Sequence, residues 1–245
     1  MSSPVYPQYL NPELTPELQR EVAFFMKWGY LVIENAVTAA QLEQLRVATD
    51  EMHARTQKEF YHDLLEEDER FGFLLDNPPV LERMKAVLGT CVQLHSATGR
   101  VTQPGLDEQN WHRDGNWPMD PAGTPYGTLP GQINCGYYLD RLTEENGGIC
   151  IVPGSHRAPF RPPAGKAEFP DQKILLAQPG QAVMFDGWLF HRGLANRSKE
   201  RRRVNLMCYQ NAWMKPRSQH QGPLHDKLRE GSPERQMLLG DIRKW

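Results

Sequence analysis

At 245 residues, with 39% hydrophobic and 24% charged side chains, the chain is long enough to bury a sizeable core. Its formal net charge of −2 leaves no positive excess to draw nucleic acid or an anionic membrane surface. No stretch approaches the roughly 18 consecutive apolar residues of a membrane-spanning helix, and the opening MSSPVYPQYLNPEL lacks the basic and apolar regions of a secretory signal. A cytoplasmic protein, monomer or homodimer, with no nucleic-acid or membrane partner is expected.

Residues 1–14, with three prolines and little hydrophobic pattern, read as a flexible arm. A helix is expected from Thr15, with Pro16 in its first turn and Val22, Phe25 and Met26 on one side, stopping at Gly29. Tyr30 to Ile33 reads as a short strand. Thr38 and Gln41 have capping-box spacing ahead of a second helix carrying Leu42, Leu45, Ala48 and Met52. The acidic stretch YHDLLEEDER is expected to be exposed, and a third helix follows Pro79.

From Cys91 the helical periods give way to short β-prone runs punctuated by Pro and Gly: 91–102, 108–114, 132–140, 149–152, 173–177, 181–186 and 202–210. Ile133, Cys135, Tyr137 and Leu139 alternate with small or polar residues, as do Val204, Leu206 and Cys208, so each run predicts a strand with one buried face. Helices first and strands afterwards exclude a doubly wound parallel sheet. The expectation is a single mainly β domain with flanking helices: a helical part over 15–90, a jelly-roll core over 91–211, and a tail over 212–245 that either covers the mouth of the core or hangs from it. Loops 115–131 and 157–172 are long enough to suggest function. The four cysteines are widely spaced, with no zinc-binding pattern, and three lie in apolar or β-prone runs as reduced thiols do.

The chemistry centres on QNWHRDGNW. On an extended segment His112 and Asp114 project from one face, and with a second histidine they form the two-His-one-carboxylate set that suits Fe(II) with open positions. Alone, His-x-Asp is close to a chance occurrence. His53, His62, His220 and His225 sit among polar neighbours and read as solvated; His95 reads as a core residue and His156, in VPGSHR, as a backbone-bonding turn residue. His191 differs, because the apolar run AVMFDGWLF delivers it to a turn; a buried structural histidine is the competing reading. Arg202 shifts the balance. A 2-oxoglutarate chelated to iron leaves its distant carboxylate needing an arginine fork on a nearby strand, and Arg202 opens such a strand with Arg201 and Arg203 facing the other way.

With these residues in view, the chain resembles the phytanoyl-CoA dioxygenase family of Fe(II)/2-oxoglutarate oxygenases over roughly Phe24 to Asn211. The similar segments are FFMKWGYLVIENAVTAAQLEQLR, QNWHRD, LTEENGGICIVPGSHR and HRGLANRSKERRRVNL, the last carrying His191, Asn196 and Arg202. The resemblance implies a double-stranded β-helix, with His112, Asp114 and His191 as iron ligands and Arg202 anchoring 2-oxoglutarate. It assigns Gln109, or Asn110 in its place, an amide contact to that cosubstrate. It further implies O2-dependent hydroxylation of a small or mid-sized metabolite with release of succinate and CO2; desaturation and ring chemistry use the same centre. The aspartate ligand is unlike the small residue of related halogenases. Arg113, Asn116, Trp117, Tyr126, Trp188 and Trp213 are the candidates for lining a substrate pocket, and nothing reads as a coenzyme A site. The alternatives are a cupin-like metalloenzyme independent of 2-oxoglutarate, which Arg202 speaks against, and a non-catalytic binding scaffold, which the intact triad speaks against.

Overall fold

A computed structural model describes residues 14–114 and 130–241. The expected N-terminal arm and most of the 115–131 loop lie outside the described residues. Helix α1 (Pro16–Trp28) opens on Thr15, whose hydroxyl accepts the Leu18 N–H. It closes on Gly29 in the left-handed region (φ 77°), whose N–H returns to Phe25 O. Strand β1 (Tyr30–Ile33) leads to α2 (Ala39–Thr56), where Thr38 and Gln41 form the reciprocal capping box. A short strand β2 (Phe60–His62), one helical turn α3 (Leu64–Glu67), a 3-10 stretch (Glu69–Asp76) and α4 (Pro78–Leu88) complete the helical part. The acidic YHDLLEEDER stretch is not the exposed segment expected: Tyr61, Leu64 and Leu65 are buried among the helices, most of its charged residues are half-buried, and only His62 and Glu69 are exposed.

Strands β3 (Val92–Thr102), β4 (Gln132–Tyr138), β5 (Ile149–Ile151), β6 (Lys173–Leu175), β7 (Ala182–Asp186), β8 (His191–Gly193) and β9 (Arg202–Asn211) follow. They form two antiparallel sheets, one ordered β1-β7-β4-β9-β3-β2 and one ordered β6-β5-β8. The fold is that of a jelly roll with helices on one side of the large sheet. Side-chain alternation explains the layering. Ile133, Cys135, Tyr137, Leu139, Met207 and Tyr209 join the helices in one apolar cluster, whereas Tyr138, Val183, Phe185 and Val204 point the other way and meet Ile149, Ile151 and Leu175 of the small sheet. β4 is therefore buried along its whole length, not on one face as its alternation predicts, because its polar and small face looks into the space between the sheets. The predicted strand 108–114 runs extended but forms no ladder of its own; it holds one bridge, His112 to His191.

The tail beyond Asn211 covers the core. Arg217 N and Ser218 N both donate to His95 O, at a bulge in β3 between Leu94 and Ser96. Two helices, α5 (Pro223–Gly231) and α6 (Pro233–Leu238), then pack against α3 and the 3-10 stretch.

Candidate metal centre and cavity

His112 and His191 face each other across the bridge, exchanging both backbone hydrogen bonds at 3.1 Å, and Asp114 N donates to Gly187 O at 2.8 Å. This pairing brings one ligand atom from each of His112, Asp114 and His191 within 4.8 Å of one another. The two imidazoles are oriented alike. His112 Nδ1 lies 2.8 Å from Asn110 O, and His191 Nδ1 lies 2.8 Å from Leu189 O. A carbonyl can only accept, so each Nδ1 carries a proton and each Nε2 is the ring nitrogen turned toward the site. Both Nε2 atoms approach Asp114, His112 at 3.7 Å from Oδ1 and His191 at 3.4 Å from Oδ2.

Burial and then the nearby His191 lower the His112 pKa, keeping it in the neutral form a metal requires. Burial alone would raise Asp114, but the His191 and His112 imidazoles bring it down to about 2. His191 is itself raised, because Asp114 outweighs the burial that opposes it. Asp114 is further fixed by Asn134 on β4, whose amide donates to Oδ2 at 2.7 Å.

The triad lies on a cavity between the sheets that also receives Arg202. Arg202 Nη1 donates to Asn146 O and Gly147 O at 2.7 Å and to Leu194 O at 3.2 Å. Burial draws its pKa to about 10, so it stays protonated at neutral pH. Gly147 makes this possible: it sits at φ 77°, and a Cβ there would come within 2.6 Å of Arg202 Nη1. Arg100 shares the cavity but is committed to Glu59 at 2.8–3.0 Å. Arg201 and Arg203 turn to the opposite face and pair with Asp50, Arg203 also with Asp140. The wholly buried Asn196 is a turn organiser, donating to Thr102 O and Glu200 O.

Gln109 lines the cavity and accepts the Gly193 N–H at 2.9 Å. Asn110 is exposed and contributes its carbonyl to His112. Arg113 alternates to the far side of the segment, donating to Ser155 O and Ala158 O and stacking over Phe190 at 4.6 Å and Trp188 at 5.9 Å, so neither Arg113 nor Trp188 belongs to the cavity wall. Trp213 is 72% exposed and also lies off the cavity, because it follows the last residue of β9 out to the surface. Asn116, Trp117 and Tyr126 fall outside the described residues. Phe60 and His62 on β2, Asn134 on β4 and Arg217 in the tail line the cavity without having been expected there. Only for Asn134 was there a sequence signal, its place on the polar face of an alternating strand.

The profile of the phytanoyl-CoA dioxygenase (PhyH) family matches residues 25–204. The chain belongs to the phytanoyl-CoA dioxygenase family. Among its curated relatives are the dioxygenase andF of Emericella variicolor, 32% identical over 60% of this chain and 49% of its own, and the dioxygenase trt7 of Aspergillus terreus, 32% identical over 56% and 47%. The chain spans about half the length of the curated relatives it matches. Among solved structures the fold is similar to HygX from Streptomyces hygroscopicus, crystallised with nickel and 2-oxoglutarate (TM-score 0.68, 19% identity, 83% of this chain and 90% of that one). It is also similar to the epimerase SnoN, crystallised with Fe3+, α-ketoglutarate and a nogalamycin compound (TM-score 0.65, 15% identity, 80% and 84%). Among the described residues of this PhyH-family chain, no helix is long and apolar enough to cross a membrane.

Proposed function

We propose that this chain is an Fe(II)- and 2-oxoglutarate-dependent dioxygenase that hydroxylates a C–H bond of a small or mid-sized metabolite. The observation that carries this reading is the convergence of two Nε2 atoms and a carboxylate on a cavity whose buried cation is Arg202. The donor set fits the ion: two neutral imidazoles and one carboxylate leave coordination positions for a chelating keto acid and for oxygen. In this reading His112, Asp114 and His191 hold iron, and Asn134 keeps the Asp114 carboxylate turned toward it. Arg202 binds the far carboxylate of 2-oxoglutarate, while the carbonyls of Asn146, Gly147 and Leu194 fix the guanidinium through Nη1. Gln109 lends an amide to the same cosubstrate. When bound, iron and 2-oxoglutarate supply the oxidising power, with succinate and CO2 as coproducts. The protein's part is to orient the C–H bond and keep water out.

The cavity wall mixes Phe60, Phe185 and Leu206 with His62 and Arg217, which suits a ring-bearing metabolite with polar substituents. Anaerobic addition of Fe(II) and 2-oxoglutarate to the full chain tests the reading. A weak visible charge-transfer band that needs both components is expected. Its absence from a folded, iron-loaded sample overturns the assignment. Product analysis then separates hydroxylation, which adds one oxygen to the substrate, from epimerisation, which adds none.

A further inference from the structure

A second cluster of ligating side chains lies apart from the triad, where the tail meets the helical part. Asp63, His220 and His225 each offer one ligand atom, all within 4.8 Å of one another. Both histidines were expected to be solvated from their polar neighbours; instead His220 is 1% and His225 0% exposed. Asp63 Oδ1, His220 Nδ1 and His225 Nε2 are all shut off from solvent and carry no hydrogen bond. Three polar atoms left bare in one buried spot are costly unless something binds them together.

The remaining atoms of the cluster are placed as metal ligands require. His220 Nε2 is held at 2.8 Å by Leu94 O, and His225 Nδ1 at 2.9 Å by Glu66 Oε2, which leaves Nδ1 of one ring and Nε2 of the other for an ion. Glu66 is oriented in turn by the Leu224 and His225 backbone N–H groups at the start of α5. Gly222 makes room for it, since a Cβ there would lie 2.4 Å from the Glu66 carboxylate. Asp63 Oδ1 and His225 Nε2 are 3.3 Å apart without hydrogen-bond alignment. Two ligand atoms on a tetrahedral zinc at about 2.0–2.1 Å stand about 3.3 Å apart. Asp63 (φ 64°) and His220 (φ 51°) both hold left-handed backbone, which is uncommon away from glycine and here points both side chains inward.

We propose that Asp63, His220 and His225 form a second metal site that takes a borderline divalent ion of the zinc class and staples the tail to the wall of the cavity. Two imidazoles and one carboxylate match that class, with water in the fourth position. The location gives the staple a purpose. Asp63 directly follows β2, which contributes Phe60 and His62 to the cavity, and His220 stands three residues beyond Arg217, which lines it from the tail. One ion would therefore clamp two sides of the cavity without touching the triad. The competing arrangement is a metal-free cluster in which His225 is held between Glu66 and Asp63.

The test uses the full chain carrying His112→Ala, Asp114→Ala and His191→Ala, so that the first triad binds nothing. After stripping with chelator, Zn(II) alone is added and the metal content is measured after gel filtration. One retained equivalent, together with a higher melting temperature, is expected. Adding His225→Gln or Asp63→Asn should then weaken zinc binding by about 100-fold or more while circular dichroism stays folded. The proposal is overturned if the triad variant keeps no zinc, or if its zinc survives both added substitutions. Should neither added variant fold, X-ray absorption on the zinc-loaded triad variant decides. Two imidazoles and oxygen ligands support the site, and any other ligand set overturns it.

Discussion

Asn134 donates to Asp114 Oδ2 at 2.7 Å, the same carboxylate oxygen that His191 Nε2 approaches at 3.4 Å. A side chain from β4 thus decides how the Asp114 carboxylate is presented to a metal. Outer partners of this kind typically govern affinity by 10- to 100-fold. Asn134→Ala is expected to weaken Fe(II) binding by about that factor, read by anaerobic calorimetry with Mn(II) as a control ion. An unchanged affinity would show that Asp114 holds its position unaided.

Arg202 and Arg203 are neighbours with opposite fates, one facing the cavity and the other paired with Asp50 and Asp140. Arg202→Ala should cost 2-oxoglutarate about 2–5 kcal/mol of binding, as for loss of one partner of a buried charged pair, and leave iron affinity nearly intact. Arg203→Ala should instead lower the melting temperature and leave the cosubstrate dissociation constant unchanged. Succinate formation against 2-oxoglutarate concentration separates the two.

His156 is half-buried against Met26 O, and its partial burial takes its pKa down to about 4. In the unfolded chain it titrates near 6.5. Its folded pKa is the lower one, so the unfolded state takes up the proton first. Stability is full above about pH 6.5 and falls as pH drops toward 4. His156→Gln, which keeps a polar group without the titration, should flatten that slope in thermal melts between pH 7.5 and 5. An identical slope would assign the acid sensitivity to other groups, His220 among them.

Gly29 ends α1 at φ 77°, and a Cβ there would stand 2.5 Å from His156 Nδ1 and 2.9 Å from Leu189 Cδ1. Gly29→Ala pays a left-handed backbone cost of about 1–2 kcal/mol before the clash is counted. A drop in melting temperature of at least several degrees is expected for a chain of this size. Double substitution with His156→Ala should recover the part of the steric cost that comes from His156, leaving the Leu189 contact and the backbone part.

The residues of the candidate site were legible in the sequence for a local reason. His112 and Asp114 share a face by two-residue spacing, and Arg202 points inward because Val204, Leu206 and Cys208 do. α1 and α2 were legible from their caps, Thr15 and Thr38. What stayed hidden depends on closure between distant segments. His220 and His225 have polar neighbours in the chain, and they are buried by Leu94 and Glu66, more than a hundred residues away. Trp213 and Arg113 looked like pocket residues from their type and proximity; the turn after β9 and the alternation about His112 put them elsewhere. Strand β2, three residues long in an acidic setting, has a pattern too short to detect, yet it supplies part of the cavity wall.

In the proposed reading, the bridge between His112 and His191 also fixes when iron can enter. The two ligands lie 79 residues apart, and their spacing exists only once both backbone hydrogen bonds between them have formed. During synthesis His191 emerges 79 residues after His112, and Arg202 later still. A nascent chain that has yet to reach His191 thus presents only His112 and Asp114 of the proposed ligand set. In the proposed reading iron loading therefore follows sheet closure, and a chain that retains iron has already joined β8 to the segment carrying His112.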